Sequence, residues 1–159
     1  MVITPVHAEA SHSVPVPVGQ AYDAVLTAPL PAIFSRRFGP LPPIREVRDQ
    51  SGEWGAGGVG QTRTIVTADR GTMLEELTIL EPPGRFGYTL SRITGPMKPL
   101  VAHVEGEWSF APAGTGTRIT WTWTFHPANG VAGMLLPALA RMWRGYARQG
   151  LEEVEKSLV

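Results

Sequence analysis

Between Thr117 and Pro127 the chain reads T-R-I-T-W-T-W-T-F-H-P, with Ile119, Trp121, Trp123 and Phe125 alternating without a break against Arg118, Thr120, Thr122, Thr124 and His126. A side-chain period of two puts every large apolar group on one face of a strand, and that face must meet an equally large apolar surface. Two tryptophans and a phenylalanine in register can wall a core or a ligand cavity.

The rest of the chain supplies partners for that face. Ala8 to Val16 alternates apolar and polar residues as a first strand, with Pro15 marking an edge position. Helical spacing of Ala21, Tyr22, Val25 and Leu26 predicts a helix over 19–26, and Ile33, Phe34 and Phe38 predict a second over 30–38, after two breaking prolines. From Ile44 to Pro127 the Gly and Pro punctuation predicts six strands, at 44–50, 60–68, 72–80, 85–93, 101–112 and 116–127. A long amphipathic helix closes the chain over 131–159. Its apolar face carries Leu136, Ala140, Trp143, Ala147, Leu151, Val154 and Leu158, widened by Leu135, Leu139, Met142 and Tyr146, with Pro137 starting or kinking it.

Hairpin geometry tests whether the strands share one apolar face. A two-residue turn at Gly114-Thr115 sets Trp108 opposite Trp121, Phe110 opposite Ile119, Val104 opposite Phe125 and Gly106 opposite Trp123. All of these pairs lie on one face, and Gly106 leaves room for an indole to cross its strand. A turn at Asp69-Arg70 sets Ile65 opposite Leu74 and Arg63 opposite Glu76, a cross-strand charge pair. The same face then runs through Leu80 with Phe86, Thr78 with Tyr88 and Glu76 with Leu90. This register turns Met73, Leu77 and Ile79 outward. Either it is off by one residue there, or that surface meets another element or a second copy of the chain.

Composition narrows the function classes. At 159 residues the chain fits a single domain spanning 1–159. Lysine plus arginine balances aspartate plus glutamate at 14 each, so no net field draws nucleic acid or an anionic membrane surface. The absence of cysteine excludes disulfides, thiolate metal sites and cysteine nucleophiles. The N-terminal residues lack a basic and apolar leader pattern, and the longest apolar run, Val131 to Ala140, is about half a membrane span. A soluble, cytoplasmic protein with no membrane insertion is expected.

One strand, two short helices, a six-stranded antiparallel meander and a long terminal helix is the element order of an α+β helix-grip fold. V-P-V-P-V-G-Q-A-Y-D-A-V-L resembles the opening strand and helix of the SRPBCC superfamily, with Tyr22 where a tryptophan is common. E-E-L-T-I-L-E-P-P-G-R-F-G-Y resembles its middle hairpin, and W-S-F-A-P-A-G-T-G-T-R-I-T-W-T its final one. That superfamily joins START-like lipid-binding domains, the Bet v 1-like proteins and the polyketide cyclase/dehydrase-like proteins, and the single-domain cyclase-like branch is the most similar. The resemblance implies a curved seven-stranded sheet wrapped around the terminal helix, with a cavity between them for a hydrophobic or amphipathic small molecule. In some members that cavity catalyses.

Several residues are candidates for chemistry. On an inward face, Arg63 and Glu76 would orient a ligand carbonyl or hydroxyl, or stabilise an enolate; the same pair also serves as a structural ion pair plugging a sheet. His12, on the face of Ala10 and Val14, would act as a general base in an apolar cavity, or is a satisfied core histidine or a surface one near a strand end. His103, Glu105 and His126 fall together on the outer face, where a transition metal would find two or three ligands. That face is on the solvent side and nothing backs the ligands, so they read as surface decoration, and no metal and no cofactor is expected. Gly55 to Gly60 spells G-x-G-x-x-G, but a strand follows it where a dinucleotide site needs a helix. It reads as a mobile turn at the cavity rim with Trp54 as a cover.

Ligand-lining positions are expected at Arg63, Glu76, Tyr88, Leu90, Trp108, Trp121, Trp123, Phe125, Leu139, Met142, Trp143 and Tyr146, with Thr94 to Leu100 as a gate. Binding of a lipid- or polyketide-like molecule is the first expectation. A cofactor-independent polyketide cyclase or dehydratase using Arg63, Glu76 and His12 is the alternative. A co-chaperone or interaction module using the Met73, Leu77 and Ile79 face is the third.

Overall fold

The computed structural model describes residues 4–158. Its elements run β1 (Val6–Val14), α1 (Val18–Leu26), α2 (Leu30–Ile33), β2 (Ile44–Arg48), β3 (Thr62–Thr67), β4 (Thr72–Glu81), β5 (Arg85–Ser91), β6 (Val101–Ala113), β7 (Gly116–Pro127) and α3 (Gly130–Leu158). The seven strands form one antiparallel sheet in the order β1-β7-β6-β5-β4-β3-β2, so β1 is an edge strand and the rest is a meander. This is the expected helix-grip order. The second helix is a single turn rather than a segment reaching Phe38, and Val159, the last residue of the expected terminal helix, lies outside the described residues.

The β6–β7 hairpin has the expected register, with Trp108 opposite Trp121, Gly106 opposite Trp123 and Val104 opposite Phe125. The β3–β4 hairpin does not. Arg63 pairs with Glu75 and Ile65 with Met73, because the turn holds three residues, Ala68, Asp69 and Arg70, with Arg70 in the left-handed region at φ 69°. The Asp69 carboxylate closes this turn, accepting from the Thr67 hydroxyl and, at 2.9 Å, from the Gly71 amide.

Further along β4 the phase is recovered. Leu77 sits opposite Tyr88 but Ile79 sits opposite Gly87, so Thr78 is an inserted bulge residue and Leu80 still meets Phe86. The consequence is a correction: Met73, Glu75 and Leu77 point inward and are buried, while Glu76 is exposed. No apolar outer face remains at Met73 and Leu77, which removes the ground for an interaction module or a second copy docking there.

The long helix α3 packs its apolar stripe on the concave face of the sheet. Leu136, Trp143, Ala147 and Leu151 have no exposed surface. Leu135, by contrast, is 54% exposed, since it lies one position off that stripe. Pro137 falls inside the helix rather than at its start, and Asn129 caps the first turn by accepting from the Ala132 amide at 2.9 Å. Two glycines of α3 allow close approach: a Cβ at Gly150 would meet the Phe34 ring at 2.4 Å, and one at Gly145 would meet Phe38 at 2.1 Å. The segment after α2 is thereby held against the terminal helix.

Candidate functional site

Paired strands carry residues across the sheet in rows, and two rows supply part of the site through Arg63, Glu75, Leu90, Tyr88 and Trp123. The first runs Arg63, Glu75, Leu90, Val104 and Phe125; the second runs Leu77, Tyr88, Gly106 and Trp123. Between these rows and α3 lies a cavity of about 80 Å³, measured to the centre of a water-sized sphere. On that measure one water needs roughly 10–15 Å³, so the space holds a few waters or a small ring system. Its wall is predominantly apolar and includes Ile33, Phe34, Ile65, Met73, Phe86 and Trp143.

Most of the aromatic residues expected there do line the cavity: Tyr88, Trp108, Trp121, Trp123, Trp143 and Tyr146, together with Leu90 and Arg63. They also pack on one another. Trp108 stacks on Trp121 with ring centres 4.4 Å apart, and Trp143 lies 4.9 Å from Trp121 and 5.4 Å from Trp123. Phe125, Leu139 and Met142 stand elsewhere. Phe125 is fully buried in edge-on contact with Trp143, Leu139 is buried in the core, and Met142 is partly buried, with its sulfur beside Gly39. Glu76 is replaced in the wall by Glu75, for the reason of register given above.

The polar end of the cavity is the Arg63–Glu75 pair. Arg63 Nε donates to Glu75 Oε1 at 2.7 Å, and its Nη1 donates to Gln50 Oε1 at 3.3 Å. Both residues of the pair are about 95% buried or more. Outside, Trp54 lies over the guanidinium at 4.0 Å, a cation–π contact. Burial pushes the Glu75 carboxyl above its ordinary range, and the adjacent Arg63 charge offsets only part of that shift. Glu75 Oε2 accepts no hydrogen bond among the described residues.

Arg63 has two surfaces. It faces the cavity, and it also lines an outer cleft of about 420 Å³ with Pro29, Glu46, Gln50, Glu53 and Trp54. Trp54 therefore covers the outside of Arg63 rather than the cavity. The glycine-rich turn beside it is tied by one side chain: Gln61 Oε1 accepts from the Gly55 and Gly57 amides, and its Nε2 donates to the Ser51 and Glu53 carbonyls. Of the expected gate, Met97 contributes to the cavity wall, and the loop is pinned where Thr94 Oγ1 accepts from the Thr72 amide at 2.9 Å.

A second polar group lies deeper. The Tyr88 hydroxyl accepts from Trp121 Nε1 at 2.9 Å and from Trp123 Nε1 at 2.8 Å. Burial, then the charge of Glu75, raises its pKa above the ordinary tyrosine range, so the phenol is neutral at physiological pH. The Tyr146 hydroxyl donates to the Pro42 carbonyl at 2.9 Å and anchors the loop before β2.

The remaining candidates lie outside this cavity. His12 pairs opposite Ile119 on the sheet's inner face, but its Nε2 lies 2.5 Å from Glu155 Oε2 of α3, in a part-buried contact at the edge of the domain. His103, Glu105 and His126 do come together on the outer face as the register predicted, with ligand atoms within 4.8 Å of one another. The two imidazoles stack at 4.0 Å, and His126 Nε2 lies 3.0 Å from Glu105 Oε1. Sequence reasoning missed Glu75 and the apolar wall from α2 and the following loop; the signal for Glu75 was the outward apolar trio that the adopted register required.

A curved antiparallel sheet gripping one long helix over an apolar cavity with a buried ion pair defines a helix-grip domain of the SRPBCC type. Residues 5–159 match the family model described as polyketide cyclase / dehydrase and lipid transport, and the chain belongs to that family. Solved structures agree on the fold. Ginseng major latex-like protein 151 from Panax ginseng aligns with a TM-score of 0.71 at 11% identity, covering 98% of this chain and 99% of that one. Ara h 8.0201 aligns at 0.65 with 14% identity over 96% and 97% of the two chains. DynU16, a putative protein in the dynemicin biosynthetic locus, aligns at 0.59 with 16% identity over 96% of this chain and 46% of that one. No curated protein matches the chain closely in sequence. Among the described residues no helix is long and apolar enough to cross a membrane.

Proposed function

We propose that the protein binds a hydrophobic or amphipathic small molecule, lipid- or polyketide-like, in the cavity between sheet and α3. The observation that carries this reading is the coexistence of an apolar cavity with a buried Arg63–Glu75 pair whose second carboxylate oxygen accepts no hydrogen bond among the described residues. An ion pair kept only for stability has little reason to border an apolar cavity, because burying two charges costs more than it returns unless every polar atom is served. A ligand hydroxyl would serve Glu75 Oε2. The apolar body of the ligand would contact Trp108, Trp121 and Trp143.

The family description names both chemistry and transport, and one feature favours a catalytic variant of the same reading. A carboxyl with raised proton affinity beside a guanidinium can move a proton to or from a carbonyl compound held against it. Arg63 and Glu75 would then polarise a poly-β-ketone chain and shuttle its protons, with no cofactor.

Thermal-shift measurement against short-chain fatty acids and one- or two-ring aromatic polyketides tests the binding reading, since a ligand held only by the folded state raises the melting temperature. A ligand present at a hundred times its Kd should stabilise by about 2.7 kcal/mol. No stabilisation across such a panel would sink it. Turnover of a bound polyketide that Glu75→Gln abolishes while binding persists would establish the catalytic variant.

A further inference from the structure

The two hydrogen bonds at the Tyr88 hydroxyl come from indole nitrogens, Nε1 of Trp121 and Nε1 of Trp123. An indole N–H donates and has no lone pair to offer, so the phenol oxygen is the acceptor in both. Its own hydrogen is used in neither contact. Among the described residues it donates no hydrogen bond. Tyr88 is thus a buried side chain in the cavity wall with its accepting capacity filled and its single donor idle.

The arrangement is built by the strands rather than left by chance. Tyr88 stands on β5 and the two tryptophans on β7, with β6 between them. The phenol reaches across because position 106 is glycine; a Cβ there would lie 2.2 Å from the Tyr88 ring. Two donated hydrogen bonds fix the hydroxyl's orientation and polarise its O–H bond, which makes it a stronger donor.

We infer that Tyr88 is the specificity-determining donor of the cavity, and that it takes the carbonyl-type oxygen of an otherwise apolar ligand. This assignment rests on the ligand-binding reading above. A ketone, quinone or ester oxygen needs only to receive a hydrogen bond, which is all this hydroxyl offers. A hydrocarbon of the same shape leaves the donor unserved, and a carboxylate would meet the charge of Glu75.

A matched pair of probes tests it: 1-indanone and indane, which share a ring skeleton and differ by one carbonyl oxygen. Wild type should bind 1-indanone roughly three- to tenfold more tightly than indane, the yield of one net hydrogen bond. The carbonyl stretch of the bound ketone should fall below its value in hexane, a readout that needs no variant. Replacing Tyr88 by 3-fluorotyrosine, which keeps the oxygen that both indoles need and makes the hydroxyl a stronger donor, should lower the stretch further. Equal affinities or an unshifted carbonyl in wild type would overturn the donor assignment and leave the cavity reading standing. A stretch that does not respond to fluorination of Tyr88 would overturn it as well. Uptake of neither compound by wild type would remove the cavity reading itself, and the donor with it.

Discussion

The Tyr88 hydroxyl on β5 lies 2.8 Å from the indole nitrogen of Trp123 on β7, although a whole strand runs between them. Gly106 is the gap through which the two meet. The alternation of β7 suggests an indole for that gap; the side chain that uses it is the phenol of the other neighbouring strand. Gly106→Ala should force the ring away and cost about 1–3 kcal/mol, the usual cost of overpacking. Urea denaturation would measure it, and the near-ultraviolet circular dichroism of the tryptophans should change with it. An unchanged midpoint and spectrum would contradict the packing described.

Register can be read out by mutation. Arg63→Met leaves the Glu75 carboxyl buried without its partner and should cost about 3–5 kcal/mol, whereas Glu76→Ala removes an exposed side chain and should stay within about 0.5 kcal/mol. Reversed sensitivities in chemical denaturation would restore the register expected from a two-residue turn.

Glu75 also makes a pH prediction. Its pKa is raised in the folded state, so the stability associated with its protonated form is present at and below the ordinary carboxylate pKa. That stability is lost as pH rises through the higher folded value. Glu75→Gln cannot titrate, so the stability of wild type minus that of Glu75→Gln should fall as pH is raised from about 4.5 upward. Paired denaturation curves between pH 4 and pH 8 would check the sign; a difference that grows with pH would show that Arg63 outweighs burial.

His12 is expected to matter little to the ligand. It contacts Glu155 at the rim, with side-chain exposures of 29% and 42%, a setting in which an ion pair contributes about 0–1 kcal/mol. His12→Ala should leave ligand affinity unchanged in the thermal-shift assay, and a large loss would bring His12 back as a participant.

Strict alternation made β7 legible, and the two-residue turn at Gly114-Thr115 then carried its register to β6 residue by residue. The α3 stripe was legible for the same reason, a period repeated over many turns. What alternation cannot encode is a single inserted residue. Two such insertions, in the Ala68–Arg70 turn and at Thr78, bracket the stretch from Met73 to Leu77 and invert it. The symptom was on view in the apolar Met73, Leu77 and Ile79, but choosing between a slipped register and a docking face required the hydrogen-bonding geometry of the turn. The wall contributed by α2 and the following loop was unreadable for another reason: irregular backbone has no period, and Phe34 reaches Tyr146 and Trp121 only through tertiary packing.

Arg63 is bordered by the cavity on one side and by the outer cleft on the other, and Ala28 and Leu30 border both as well, so the wall between the two spaces is one residue thick. A partition whose polar part is one rotatable side chain places that part of the boundary between inside and outside under the control of one codon. Capacity can then drift from a small chamber to a larger, connected space while every strand, turn and helix stays where it is. A fold of this kind can change the size of its cargo without being rebuilt.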